Sequence, residues 1–406
     1  VTALADRIVI IGAGIAGVSA AGGLRAAGYS DAITLISAEA ELPYRRPPLS
    51  KELLRGEKSL DQIRIKPAEW YEDQRIELRT STTVDAIDRS AQTVTTSAGE
   101  DISYDRLILT TGGRARSFWP ESPRVHTLRS AADIPALSAL FAASDSVTII
   151  GGGLIGSEVA ASARAFECAR TVLETAPYPL PRLLPEAIAA AYTTLHAEYG
   201  TTFETEVAVQ DVSAEGATVL ISAADGRQWR SDAVVVAVGM QPNTELAEAA
   251  GLNVDNGIVV NELGQSSDPQ IWAAGDVANR PEPILGGRIR TEHWQSSMNH
   301  GTAVGRNAAG DAVAFEEVPW CWSDQYGTNL QIVGFPDAAD DFVVRGNIET
   351  RDFTALFVRG SQLVGAVGIG RPGEVRAARA HIAASGNVEP AALMDDSNQL
   401  VELLRT

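Results

Sequence analysis

Two short apolar runs, Val9-Ile10-Ile11 and Thr148-Ile149-Ile150, frame the chain. Neither shows the in–out alternation of a half-exposed strand, so both read as strands buried on the two faces of a parallel sheet. Each passes through glycines into an alanine-rich stretch with helical character. Residues 7–39 read as strand, helix, strand, closing at Ile33-Thr34-Leu35-Ile36, and residues 148–174 repeat the pattern, closing at Thr171-Val172-Leu173-Glu174. Residues 40–70 break it, because Pro43, Pro47 and Pro48 forbid regular helix there and predict a shaped loop. Strand-like alternation over 83–111 ends in Leu107-Ile108-Leu109-Thr110-Thr111-Gly112, and a similar run ends at Val238-Gly239. Beyond Asn243 the chain returns to the first pattern with Ile271-Trp272-Ala273-Ala274-Gly275-Asp276, a strand ending in an acid. From about Pro319 short strands follow, then a helical stretch over 373–385. Alternating strands and helices predict an α/β fold.

Composition narrows what such a fold does. A chain of 406 residues calls for two or three domains. No apolar run reaches the roughly 18–20 residues of a membrane span, and the first strand begins too early to leave room for a signal peptide, so the expected location is the cytoplasm. The net charge of −19 argues against nucleic acid or an anionic membrane as a partner. The two cysteines, Cys168 and Cys321, lie far apart with no CxxC spacing, and the five histidines show no ligand spacing. No metal site is expected, and bound cofactors must carry the chemistry.

The glycines say which cofactors. Gly12-Ala13-Gly14-Ile15-Ala16-Gly17 and Gly151-Gly152-Gly153-Leu154-Ile155-Gly156 each join a strand to a helix. In such a turn the first glycine allows the bend, the second lets backbone approach a pyrophosphate, and the third lets helix and strand pack closely. Two matches in that context predict two dinucleotides in one protein, and therefore electron traffic between them. Glu174, 18 residues after Gly156, stands where a carboxylate accepts from the ribose hydroxyls of NAD and repels a 2′-phosphate. Arg182 nearby has the opposite tendency, since an arginine there welcomes that phosphate.

More specific strings lie outside the glycines: Pro47-Pro48-Leu49-Ser50-Lys51, Thr111-Gly112-Gly113, Ala274-Gly275-Asp276 and Trp322-Ser323-Asp324-Gln325-Tyr326. With these the whole chain resembles the oxygenase-coupled NADH-dependent ferredoxin reductases, of the putidaredoxin reductase and rhodocoxin reductase type. The resemblance implies two Rossmann-like domains plus a C-terminal α+β domain. An FAD domain of residues 1–113 and 243–318 is interrupted by an NAD domain at 114–242, and residues 319–406 form the C-terminal interface domain. It further implies that Gly12, Ala13, Gly14, Ile15, Ala16 and Gly17 hold FAD, with Thr111, Gly112 and Val84 near it, Arg129 at its polar part and Asp276 on the ribityl hydroxyls. Trp294 would stand at the flavin edge and Trp322 would cover it. Where the family's pattern carries a ribose acid this chain has Ala38, with Glu39 next in line to substitute. On the NAD side it implies Gly151, Gly152, Gly153, Leu154, Ile155, Gly156, Glu174, Arg182 and Gly239. Lys51 is implied as the cation beside the flavin, with Glu158 as its partner at the flavin–nicotinamide junction.

The implied activity is transfer of electrons from NADH through FAD to a small iron–sulfur ferredoxin serving a cytochrome P450 or a Rieske oxygenase. The alternatives are a flavin NADH oxidase and a redox signalling flavoprotein resembling apoptosis-inducing factor, whose basic DNA-binding surfaces the charge of −19 speaks against. Disulfide reductases are excluded, because residues 40–60 lack the redox cysteine they use. Residues 316–341 hold six acids and no basic residue, a poor dock for an acidic ferredoxin. Arg288, Arg290, Arg306, Arg371, Arg376 and Arg379 are the better candidates.

Overall fold

The computed structural model describes residues 7–395 and 399–405, and the chain divides into two compact units. The first comprises residues up to 45, then 60–114 and 241–317; the second comprises 46–59, 115–240 and 318 onward.

The first unit is built on a five-stranded parallel sheet. In spatial order its strands are Ile271–Ala273, Arg106–Leu109, Arg7–Ile11, Ala32–Ile36 and Ile76–Arg79. The order reverses beside Arg7–Ile11, and a doubly wound sheet opens a ligand crevice at the carboxyl ends of such strands. Ile8, Ile10, Ile33, Leu35 and Ile108 are all at most 1% exposed, which is why these runs are apolar throughout. The helix Ile15–Ala26 follows the first strand, and the helix Trp294–Ala309 packs against it. Their contact is made of glycine and alanine: a Cβ on Gly301 would stand 2.2 Å from the Ala16 carbonyl oxygen, and one on Gly305 2.1 Å from that of Ala20. The alternating stretch after residue 83 forms a three-stranded antiparallel sheet, Val84–Asp88, Thr93–Thr96 and Asp101–Ser103.

The second unit repeats the parallel design with Thr201–Glu204, Ala169–Leu173, Ser146–Ile150, Ala233–Val236 and Val125–His126, in that spatial order. Here too the Gly-rich turn leaves a central strand and starts a helix, Leu154–Ala163. The C-terminal part is a five-stranded antiparallel sheet ordered Trp320–Gln325, Thr328–Gly334, Gln362–Ile369, Asp352–Arg359, Asp341–Asn347. The helix Pro372–Ala383 lies against it, where the 373–385 stretch was expected to be helical. The proline-rich segment winds one 3-10 turn, Pro47–Ser50, which a proline at each of the first two positions favours. Among the described residues, no helix is long and apolar enough to cross a membrane.

Candidate functional site

The two glycine turns are built alike to within a few tenths of an ångström. Gly12 has φ +104° and Gly151 φ +107°, left-handed conformations that a side chain rarely adopts. A Cβ on Gly12 would meet the Thr110 carbonyl oxygen at 2.2 Å, and one on Gly151 the Ala237 carbonyl oxygen at 2.4 Å. On the third glycines, Gly17 and Gly156, a Cβ would stand 2.0 Å from the carbonyl oxygen of the first. The second glycines differ from both: Gly14 and Gly153 face open space, with nothing within 4 Å of a Cβ. Two of the three glycines are thus required by packing, and the remaining one clears room beside the helix. Gly14 and Gly153 are also the N-caps of their helices, with no side-chain cap and no acid in the first turn. The backbone N–H groups and positive dipole end there fit a pyrophosphate.

Glu174 ends the strand Ala169–Leu173 and turns back on its own glycine turn. Its Oε2 accepts from the Gly152 N–H at 2.6 Å and its Oε1 from the Ala176 N–H at 2.9 Å. The carboxylate is thus anchored beside the nucleotide cradle. Arg182 is exposed in a surface cleft with Tyr178, Asp337 and Asp340. Ile155 stands 47% exposed in the first turn of its helix, and Gly239 adopts φ +99° after the strand Ala233–Val236. In the first unit the half-buried Glu39 accepts a short hydrogen bond from the Tyr44 hydroxyl. Asp276 sits in a 3-10 turn and accepts from Ser297 Oγ at 2.6 Å. Thr111 is tied to Asn243 by two hydrogen bonds, Oγ1 to the Asn243 carbonyl at 2.8 Å and Asn243 Nδ2 to its own carbonyl at 2.9 Å. Gly112 beside it has φ +60°. Trp294 opens the helix Trp294–Ala309, whereas the Val84 side chain packs into the core with Val9, Ile11 and Val94.

Lys51, Glu158, Arg129 and Trp322 belong to the second unit. Trp322 stacks on Trp320 with ring centroids 5.1 Å apart, and the Arg129 carbonyl accepts from Arg46 Nη1 at 2.6 Å. Lys51 and Glu158 are brought together: Nζ lies 2.7 Å from Oε2, with both side chains under a tenth exposed. Either charge alone would be costly to bury, and here the two are buried as a pair. The lysine also donates to the Pro47 carbonyl at 3.1 Å. Glu158 takes two further hydrogen bonds, from Ser50 Oγ at 2.5 Å and Ser323 Oγ at 2.6 Å. Ser162 Oγ, donating to the Ser50 carbonyl at 2.6 Å, fixes the loop that carries Lys51. These serines were not singled out from sequence, although Ser50 and Ser323 lie inside the two most specific strings.

Cys168 and Cys321 are both buried, and burial pushes the Cys321 thiol up to about 12. Among the described residues, no group of three or more His, Cys, Asp or Glu side chains is placed to hold a metal ion. Most of the candidate docking arginines are engaged. Arg306 pairs with Asp311, Arg290 with Glu292, and Arg371 with Asp352 and Glu374. Arg288 donates to the Val260 and Asn279 carbonyls, and Arg379 to that of Val318. Arg376, which is exposed, is the one of the six with neither an ion pair nor a side-chain hydrogen bond among the described residues.

The pyridine nucleotide-disulphide oxidoreductase family matches residues 6–301, and the reductase C-terminal family matches 320–404. The ferredoxin–NAD(+) reductase component of the anthranilate 1,2-dioxygenase system of Burkholderia cepacia is 40% identical, over 96% of this chain and 97% of its own. The chain belongs to the NADH-dependent ferredoxin reductases. Rhodocoxin reductase of Rhodococcus erythropolis is 37% identical over 94% of this chain and 91% of its own. The covalent putidaredoxin reductase–putidaredoxin complex contains a chain superposing with a TM-score of 0.94 at 35% identity, covering 98% of each. This reductase is accordingly an FAD enzyme that uses NADH. Its wider family is named for disulphide chemistry, and its two cysteines are buried and form no disulfide with each other.

Proposed function

We propose that this protein is the ferredoxin–NAD(+) reductase of an oxygenase system and that the residues above divide its work as follows. Bound FAD would supply the chemistry of hydride acceptance from NADH and of one-electron release to a small iron–sulfur ferredoxin. The turn from Gly12 to Gly17 holds the FAD pyrophosphate on backbone N–H groups, Glu39 takes the place of the ribose acid, and Asp276, steadied by Ser297, holds ribityl hydroxyls. The turn from Gly151 to Gly156 holds the NADH pyrophosphate, and Glu174 selects the unphosphorylated ribose. Lys51 supplies a fixed positive charge for the negative charge that develops on the reacting ring system. Glu158 holds that lysine in place. Trp294 and Trp322 border the flavin, and Arg129 serves its polar part.

The observation that carries this reading is the buried Lys51–Glu158 pair at 2.7 Å. An ion pair so far from water adds little to stability for its cost, and such pairs are kept where a fixed charge has work to do. The ferredoxin follows from the relatives, whose names tie them to dioxygenase systems, to rhodocoxin and to putidaredoxin. The compartment that fits an NADH-fed reductase with these properties is the cytoplasm, and the oxygenase it serves is a P450 or a Rieske enzyme.

The test uses the full chain. Released flavin should amount to about one FAD per chain, as one cradle of the first kind implies. NADH-driven cytochrome c reduction should rise strongly when ferredoxins from P450 or Rieske systems are added. Lys51→Met should bind flavin yet reduce it at least about tenfold more slowly in stopped-flow, the equivalent of one lost charge-assisted interaction. A rate indifferent to every ferredoxin, and equal to that with oxygen alone, would make the protein an NADH oxidase instead.

A further inference from the structure

A file of polar side chains, all buried except the half-buried Tyr326, runs through the second unit and ends on Glu158. It starts at Arg170, 8% exposed, whose Nε donates to Thr201 Oγ1 at 3.1 Å. The Thr201 and Tyr326 hydroxyls are 2.9 Å apart, and Tyr326 Oη is 3.5 Å from His196 Nδ1. His196 Nε2 lies 2.6 Å from Gln325 Oε1. Gln325 Nε2 donates to Ser323 Oγ at 2.9 Å and Ser323 Oγ to Glu158 Oε1 at 2.6 Å. The second N–H of the Gln325 amide goes to the Tyr192 hydroxyl.

The directions of the bonds around His196 follow from the Glu158 end. A guanidinium only donates, so Thr201 accepts from Arg170, but a hydroxyl oxygen can accept twice, so this end leaves either hydroxyl of the Thr201–Tyr326 bond free to donate. A carboxylate only accepts, so Ser323 donates to Glu158 and accepts from the Gln325 amide, leaving the amide oxygen toward His196 Nε2. The Glu158 end therefore places a proton on His196 Nε2, and in the neutral ring Nδ1 is left to accept from the Tyr326 hydroxyl. The surroundings of His196 agree. The ring has no solvent exposure and is boxed by Tyr192, Phe203 and Tyr326 at centroid distances of 5.1, 4.8 and 5.1 Å. Burial there pushes its pKa down to about 4. The chain is no proton wire, because the Gln325 amide in its middle would have to surrender an N–H proton.

We propose that His196 is a positioning residue for the Lys51–Glu158 pair: through Gln325 and Ser323 it clamps one oxygen of Glu158, leaving the other to Lys51 and Ser50. Without the imidazole donor the Gln325 carbonyl is buried with no partner, its amide turns, and the clamp on Oε1 is lost. Glu158 then rotates, and the lysine ammonium loses its fixed place. The catalytic consequence of this inference rests on Lys51 serving the flavin as proposed above; the clamp itself does not.

Three lysines in the whole chain make the experiment direct, because 15N-lysine labelling of the FAD-loaded protein gives three side-chain signals. His196→Phe keeps the ring and removes the donor, whereas His196→Gln places an amide N–H near the Nε2 position. In His196→Phe the Lys51 ammonium protons should exchange with water about tenfold faster, and the rate of flavin reduction at saturating NADH should fall about tenfold with little change in KM for NADH. In His196→Gln both should return to within about threefold of the unaltered protein. Ser323→Ala, which cuts the same clamp from the Glu158 side, gives a second reading where the phenylalanine variant folds poorly. Unchanged Lys51 exchange in His196→Phe or Ser323→Ala, or equal disturbance in the phenylalanine and glutamine variants, overturns the proposal. Faster Lys51 exchange with an unchanged rate of flavin reduction sustains the clamp and removes Lys51 from the flavin chemistry.

Discussion

In the proposed function a single side chain, Glu174, sets cofactor choice. Its carboxylate is held by the Gly152 and Ala176 N–H groups at 2.6 and 2.9 Å and so cannot swing away from an incoming 2′-phosphate. Two charges about 5 Å apart repel by roughly 3 kcal/mol at an effective dielectric near 20, or about two decades of discrimination per phosphate charge. Glu174→Gln should therefore narrow the preference for NADH over NADPH by about that factor in kcat/KM; equal kcat/KM for the two nucleotides in the unaltered enzyme would remove Glu174 from this role. The place of Glu174 beside its glycine turn was legible in the sequence, because an acid just past a strand at a set distance from such a turn is a local pattern. Lys51 and Glu158 were legible only through the resemblance. His196 was not legible at all: it sits on the buried side of its helix with Ile188, Tyr192 and Leu195, where a lone histidine reads as core. What distinguishes it is a partner 129 residues away in sequence, and no local pattern announces that.

At the scale of elements, the strand–glycine–helix units could be read almost to their ends, since buried parallel strands and glycine turns leave a compositional mark. The contact between the helices Ile15–Ala26 and Trp294–Ala309 leaves a fainter one, a pair of glycines four residues apart. Gly301 and Gly305, one turn apart, face the Ala16 and Ala20 carbonyls, and this spacing lets the helices approach at backbone distance. Gly305→Ala should be tolerated by an isolated helix, where alanine is the better former. In the folded protein its Cβ would stand 2.1 Å from backbone oxygen, and the helices must part. The expected loss is about 1–3 kcal/mol in denaturant unfolding. Flavin content should fall as well, because the displaced helix begins with the glycine turn. A variant as stable as the original would show that the two helices separate freely. The second unit supplied a different surprise: residues 46–59, in sequence part of the first domain, group with it. Prolines predicted the shape of that loop but not its allegiance, which is decided by side chains far along the chain.

Over the whole molecule, charge governs the partner encounter. With 52 acids against 33 basic residues, an acidic ferredoxin is repelled at long range, so docking must use a local positive site. Engagement of the other five candidates with carboxylates or carbonyls leaves Arg376 as the exposed cation of the helix Pro372–Ala383. Arg376→Glu should raise KM for ferredoxin several-fold and leave KM for NADH alone. Ferredoxin-dependent turnover should respond to salt, as exposed charges are screened within about 8–10 Å, whereas turnover with a small neutral acceptor should not. Indifference to both would make docking apolar.

The broken course of the first unit has a consequence for its birth on the ribosome. The strand Arg106–Leu109 is flanked in the finished sheet by Arg7–Ile11 and by Ile271–Ala273, and the latter is synthesised more than 160 residues later. At about 5–20 residues per second the delay is roughly 8–30 s. Throughout it, an apolar strand with an unpaired edge hangs from the emerging polypeptide while the second unit's parallel sheet is being completed. Such an edge is a template for pairing with other nascent chains. Yield in the cell should therefore depend on chaperones that shield the growing chain, and slowing translation between residues 110 and 271 would lengthen the hazard rather than relieve it.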